Sequence, residues 1–186
     1  MRMSENRELF WKLLEPEYFR AMMFCRKLMG DREHGDDLFQ DALMLALQRF
    51  ESLREYSSFR PWLYRIMTNA FKSKVRRPWW KRVIPLTPEI ETGLVDDDPS
   101  DNYGARRWLK RAFSVLSTDE RALVTMHELE GWPAAELVGV FGQSEGAIRA
   151  RLFRARRKMK KALTDPRTKN AMCEDDPCFV AKPNAD

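Results

Sequence analysis

The sequence predicts an all-α protein: two small helical domains joined by a flexible linker, the second containing a helix-turn-helix. Three observations predict it. Apolar residues recur at helical three-and-four spacing through the long segments before residue 80 and after residue 105. Between 83 and 103 that periodicity lapses into Pro85, Pro88, Gly93, Pro99 and the run Asp96–Asp98. A short helix, a glycine-containing turn and a long basic helix then follow one another from Pro133 to Leu163, the sequence form of a helix-turn-helix. The expected boundaries are 1–80, a linker over 81–104, a second domain over 105–163, and a polar tail over 164–186 that lacks periodicity and is expected to be disordered.

Composition narrows the class of function. The 186 residues are 44% hydrophobic and 33% charged, which suits a globular chain with modest cores. A net charge of +5 points toward a polyanion, and the distribution says more than the total. Basic residues cluster at 60–82 and 149–161, acidic ones at 31–41 and 89–101. The start, MRMSENRE, has no apolar segment of a signal peptide, and no apolar run approaches a membrane span. Three cysteines fit a reducing cytoplasm without a disulfide framework. Cytoplasmic localisation without membrane insertion is therefore expected.

Taken in order, residues 7–29 read as a helix or helix pair. Leu9, Phe10, Leu13 and Leu14 form one stripe; Phe19, Met22, Met23, Cys25, Arg26 and Met29 form another, with Pro16 marking a new start. Cys25 is expected to act as a small buried hydrophobe. Gly30–Gly35 reads as a turn with His34 in solvent. A helix follows over Asp36–Phe50, capped by Asp36 or Asp37, with Leu38, Phe39, Ala42, Leu43, Ala46, Leu47 and Phe50 inward. Met44 and Leu45 fall outside that stripe, near Asp37, Gln40, Asp41 and Gln48. They are either a protein-docking surface or a surplus of apolar groups.

After the polar connection 51–58 comes the helix from Phe59 to Arg77, with Pro61 in a first turn that needs no backbone N–H. Trp62, Leu63, Ile66, Ala70 and Phe71 form its buried stripe. Arg65, Thr68, Asn69, Lys72 and Arg76 share the opposite face, which is cationic and carries no carboxylate. Such a face can be merely solvated. Around it, however, stand Tyr56, Phe59, Trp62, Tyr64, Trp79 and Trp80, and aromatics mixed with cations suit stacking on unpaired bases. The linker's roughly twenty residues reach ~65 Å when extended, about two turns of duplex.

In the second domain Trp108, Leu109, Ala112, Phe113 and Leu116 make a helical stripe, and Ser117–Glu120 supplies a capping signal for the next helix. Gly131 ends that helix, Pro133 opens a short one, Gly142 closes it, and Ser144 caps the last, Glu145 to about Leu163. Ile148, Leu152, Ala155 and Met159 face inward. Glu145, Arg149 and Arg151 occupy the first turns, with Arg154, Arg156, Arg157, Lys158, Lys160 and Lys161 beyond. Spacing and charge agree on DNA binding. Cys173 and Cys178 have no second ligand pair nearby, so no metal is expected. The two histidines, His34 and His127, adjoin no nucleophile, and no glycine-rich phosphate loop appears. Neither an enzyme nor a cofactor is expected.

Four segments in order resemble the extracytoplasmic-function (ECF) sigma factors. They are D-D-L-F-Q-D-A-L at 36–43, S-S-F-R-P-W-L-Y-R-I-M-T-N at 57–69, L-S-T-D-E-R-A-L at 116–123 followed by E-L-E-G at 128–131, and G-A-I-R-A-R-L-F-R-A-R at 146–156. The resemblance implies a bacterial transcription initiation factor with core RNA polymerase as partner, through its β′ clamp helices and β flap. Promoter DNA and an anti-sigma factor are the other implied partners. By the same resemblance, Asp37, Gln40, Asp41 and Met44 would dock on the clamp helices. Tyr56, Phe59, Trp62, Arg65, Asn69, Lys72 and Arg76 would melt and hold the -10 element. Ser144, Glu145, Arg149 and Arg151, with Arg154 on the phosphates, would meet the -35 duplex. Three departures stand out: Trp132-Pro133 replaces the family's usual polar cap, Ala150 replaces a Ser or Thr, and the cysteine-bearing tail lies outside the family pattern. The competing reading, a stand-alone helix-turn-helix regulator, leaves the 56–80 cluster without a role.

Overall fold

The computed structural model of the chain describes residues 2–76 and 108–164. The linker expected over 81–104, Trp79, Trp80 and the tail with Cys173 and Cys178 lie outside the described residues. Eight helices are described: α1 (Arg2–Leu14), α2 (Tyr18–Met29), α3 (Arg32–Arg49), α4 (Phe59–Arg76), α5 (residues 108–114), α6 (Thr118–Val124), α7 (Ala134–Phe141) and α8 (Glu145–Thr164). No strand occurs among the described residues, and none of their helices is long and apolar enough to cross a membrane.

Local chemistry accounts for most boundaries. Pro16 sits in the 3-10 turn Glu15–Glu17 that separates α1 from α2. Gly30, at φ 87°, closes α2 by donating its N–H to the Arg26 carbonyl. In the second unit Ser117 and Glu120 form a reciprocal capping box, with the Ser117 N–H donating to the Glu120 carboxylate at 2.9 Å. Gly142 ends α7 at φ 64°, and the Ser144 hydroxyl accepts from the Ala147 N–H at the start of α8. After α6 the helix widens into a π-turn, Thr125–Leu129, before Gly131 at φ 72°.

The start of α3 differs from the expectation. Gly30–Gly35 is not a turn: the helix begins at Arg32, and its N-cap is Asp31 rather than Asp36 or Asp37. The Asp31 carboxylate accepts from the His34 backbone N–H at 2.8 Å and lies 2.8 Å from the His34 ring, so His34 is held rather than free in solvent. Gly35 is a helical packing residue. A Cβ there would lie 2.4 Å from the Cα of Arg26, so only glycine lets α3 cross α2 this closely. Asp36, not needed as a cap, pairs with the Arg26 guanidinium at 2.7 and 2.9 Å.

The first core joins Phe10, Leu14, Phe24, Leu28, Leu38, Phe39, Phe50, Leu63, Met67 and Phe71. Cys25 is fully buried within it, and burial raises its thiol pKa far above the ordinary value. Helix α4 is buried over more of its circumference than a single stripe allows. Tyr64, Met67 and Thr68 join Leu63, Ile66, Ala70 and Phe71, because α2 and α3 cover one side of α4 while α6 and α7 cover another. Thr68, expected on the polar face, is only 2% exposed.

The two units therefore pack together. The Trp132 ring lies 4.6 Å from that of Tyr64, and the Arg60 guanidinium stands 4.0 Å over it. Around this contact Lys27 pairs with Glu130 at 2.6 Å, Arg60 with Glu136 at 3.2 Å, and Lys72 with Asp119. Gly139 of α7 sits against Pro61 of α4, where an added Cβ would come within 3.1 Å of the proline ring.

Candidate nucleic-acid interface

Helix α3 presents Asp37, Gln40, Asp41 and Met44 to solvent, with Met44 58% exposed. Their offsets of three, four and seven place them on one face. Leu45 packs back against the core, so Met44 alone is surplus apolar surface there. The Lys74 ammonium, from α4, lies 3.4 Å from Asp41 and 3.9 Å from Asp37. This edge is therefore acidic at its tip and partly neutralised at its base.

On α4, Arg65, Asn69 and Arg76 are exposed and Lys72 is half-buried against Asp119. Tyr56, at 49% exposure, stacks on Phe50 with ring centres 5.9 Å apart. Trp62 is half-buried, edge-on to Phe50 at 6.4 Å. Phe59 departs from the expected arrangement. It is 3% exposed, 5.7 Å from Phe10 and 5.8 Å from Trp62, so it holds Trp62 in place rather than meeting a base itself. Tyr64 is fully buried and does not belong to any stacking surface. Burial, with Glu17 and Glu130 near, pushes its hydroxyl pKa well up.

On α8 the expected basic set divides. Ser144 is exposed, Arg149 stands in solvent paired to Glu145 one turn earlier, and Arg154 is exposed. Arg149 and Arg151 are two residues apart, about 200° around a helix, and cannot share a face. Arg151 instead donates to the Gln143 side chain at 2.8 Å and lies over the Phe141 ring at 5.4 Å. Two cations of the later turns are occupied within the unit: Arg156 pairs with Glu128 and Lys158 with Glu120, both at 2.6 Å. Burial pushes the Glu120 carboxyl up, but hydrogen bonds from Lys158 and from Ser117 outweigh it and hold the pKa below 4.5. The groups expected at two separate readers meet across one cleft of about 230 Å³, where Arg65, Asn69 and Lys72 face Asp119, Gln143 and Arg151.

Residues 17–81 match the family described as Sigma-70 region 2, and residues 106–159 match Sigma-70, region 4. Together they account for more than half of the chain, in that order. The chain belongs to the sigma-70 family. Its curated relatives include ECF sigma factors. It is 28% identical over 182 residues to the ECF RNA polymerase sigma factor SigG of Mycobacterium tuberculosis (strain CDC 1551 / Oshkosh), a match that takes in 84% of this chain and 49% of that one. The chain thus spans about half the length of that relative. It is 29% identical to the ECF RNA polymerase sigma-E factor of Haemophilus influenzae, covering 87% of this chain and 92% of the relative. Two solved structures share the fold. CnrH in complex with the cytosolic domain of CnrY superposes with a TM-score of 0.61 at 21% identity, over 87% of this chain and 91% of that one. RpoE in complex with the anti-sigma factor NepR from Bartonella quintana gives 0.59 at 24%, over 84% and 98%.

In this sigma-70 member, region 2 is carried by α2 to α4 and region 4 by α5 to α8. Two residues that periodicity did not single out shape region 4. Arg121 is buried beside Phe113, with its ring centre 5.9 Å away, and burial lowers its pKa to about 10. Trp132, the departure from the family's cap, packs against Tyr64 of region 2. Its replacement of a polar group was the visible signal; its partner was not. Among the described residues no cluster of His, Cys, Asp or Glu could hold a metal ion.

Proposed function

We propose that this ECF sigma factor binds core RNA polymerase and directs it to specific promoters, with region 4 on the -35 duplex and region 2 on the melted -10 element. The carrying observation is the exposed strip of α4, Arg65, Asn69 and Arg76, flanked by Trp62 and Tyr56 on the same chain as a cationic helix-turn-helix. Ser144, which caps α8, and the α8 residues Glu145, Arg149 and Arg154 suit phosphates and major-groove edges. The α4 strip suits bases that have left the stack, where each stacking contact is worth ~1–3 kcal/mol. Opening a duplex step costs ~1.4 kcal/mol on average, so a few captured bases offset local melting. Asp37, Gln40, Asp41 and Met44 form the surface for the polymerase clamp helices.

No catalysis by the chain itself is needed, since the polymerase makes the bonds. The reading places the protein in the cytoplasm with an anti-sigma factor as regulator, the kind of partner with which RpoE was solved. The test is run-off transcription with core polymerase on a genomic fragment library. Discrete transcripts that depend on the chain and share an upstream motif are expected. Duplex binding without any transcript would favour a stand-alone regulator.

A further inference from the structure

We propose that the cleft between α4 and the turn joining α7 to α8 is a binding site for a small phosphoryl anion, one or two linked phosphate groups, free or at the end of a small metabolite. It shares Arg65 and Asn69 with the strip assigned to the -10 strand, but it does not depend on that assignment.

The walls come from both units. Region 2 supplies Arg65, Thr68, Asn69 and Lys72, whose offsets of three and four place them along one side of α4, and region 4 supplies Gln143 and Arg151. Their charges do not cancel. Three cations stand against one carboxylate, Asp119, and that carboxylate is already paired with Lys72. Among the described residues Arg65 pairs with no acid, and Arg151 bonds to the neutral amide of Gln143 at 2.8 Å. Two guanidinium charges therefore converge on a concave surface without a counter-ion, an arrangement that concentrates anions.

The donors select the kind of anion. A guanidinium presents its N–H groups as a planar fork that matches a pair of phosphate oxygens. Two such forks from different helices suit a group with several charged oxygens better than a single carboxylate. The amides of Asn69 and Gln143 add neutral donors at the same walls. The cleft of about 230 Å³ is smaller than the ~300–1,000 Å³ of sites for drug-sized molecules. Its apolar wall is limited to Val140 and Phe141, and Arg151 already covers the Phe141 ring at 5.4 Å. The ligand is thus recognised by its phosphoryl end.

A second observation points the same way. Thr68 belongs to the wall, is only 2% exposed, and its hydroxyl has no hydrogen-bond partner among the described residues. A buried hydroxyl is normally satisfied, and this one is a donor that a ligand oxygen at that wall would engage.

Isothermal titration calorimetry on the full chain tests the site, with sodium pyrophosphate and inorganic phosphate as probes. Ionic strength is held constant, because salt screens exposed charge. Pyrophosphate should bind saturably, one per chain; inorganic phosphate binding as tightly assigns the cleft to one phosphoryl group, and weaker binding assigns it to two. Arg65→Gln and Arg151→Gln should each weaken pyrophosphate at least about ten-fold, the loss of a charged hydrogen bond. Thr68→Val should weaken it about three-fold, and where circular dichroism shows lost helix the arginine variants decide alone. Arg154→Gln makes the same charge change on an exposed α8 side chain outside the cleft and should leave the affinity unchanged. No saturable heat, or equal losses in Arg65→Gln and Arg154→Gln, overturns the site. If a single-stranded oligonucleotide loses affinity in both cleft variants while pyrophosphate gives no saturable heat, the cleft is part of the strand path and the small-anion site is likewise overturned.

Discussion

Replacing Gly35 with alanine sets two effects of opposite sign against each other. Alanine improves intrinsic helix propensity by ~1 kcal/mol in a helix interior. At this position, however, the new Cβ would lie 2.4 Å from the Cα of Arg26 and 2.9 Å from its backbone nitrogen. Those are backbone atoms of a packed helix, so α2 and α3 must separate by about 1 Å, which also strains the Arg26–Asp36 pair. Overpacking of this kind costs ~1–3 kcal/mol, and more when backbone must move. The clash wins, with an expected net loss of about 2 kcal/mol, or roughly thirty-fold in the folded-to-unfolded ratio. At an m-value of about 2 kcal/mol/M the urea midpoint should fall by about 1 M. Helical circular dichroism through a urea titration reads it directly. Gly146→Ala in α8, where nothing lies within 4 Å of the added Cβ, is the control and should be neutral or slightly stabilising. A Gly35→Ala chain as stable as wild type would refute the close α2–α3 crossing.

Asp41→Arg should weaken capture by core polymerase while leaving helicity intact, because Asp41 is exposed on α3 and its loss adds a cation beside Lys74; wild-type affinity in a pull-down would remove that surface from the account. Glu120 makes region 4 acid-sensitive. Its folded pKa is depressed below 4.5, so its contribution is full above about pH 4.5 and disappears as pH falls through the lower folded value. Lys158 is half exposed, so the amount is less than about 1 kcal/mol. Glu120→Gln, which can keep the capping-box geometry, should flatten that part of the stability–pH curve, and an unchanged curve would argue against the pairing.

Much of the chain was readable because its signals are local. Pro61 in the first turn of α4, the Ser117–Glu120 box, Gly142 and Ser144 each act within four residues and need no tertiary partner. Gly35 was misread because a glycine demanded by a crossing helix looks like one demanded by a turn; Arg26, the residue that decides, lies nine positions away. Thr68 was misplaced because periodicity assigns one buried stripe, whereas α4 is covered from two sides. Phe59 was counted among the stacking aromatics because composition gives no direction to a ring. The resemblance assigns Arg149 and Arg151 to one duplex, although helix geometry alone sets them on different faces. The joint at Trp132 unites residues about seventy positions apart, with charge pairs no local pattern announces.

The central claim is that α4 captures an unpaired strand while α8 holds duplex. Permanganate footprinting of holoenzyme on a promoter recovered by run-off transcription tests it most directly. Wild-type holoenzyme should show reactive non-template thymines around the -10 element. Asn69→Ala should lose most of that reactivity while still protecting the -35 duplex. Full thymine reactivity with Asn69→Ala would contradict the assignment of that face to strand capture.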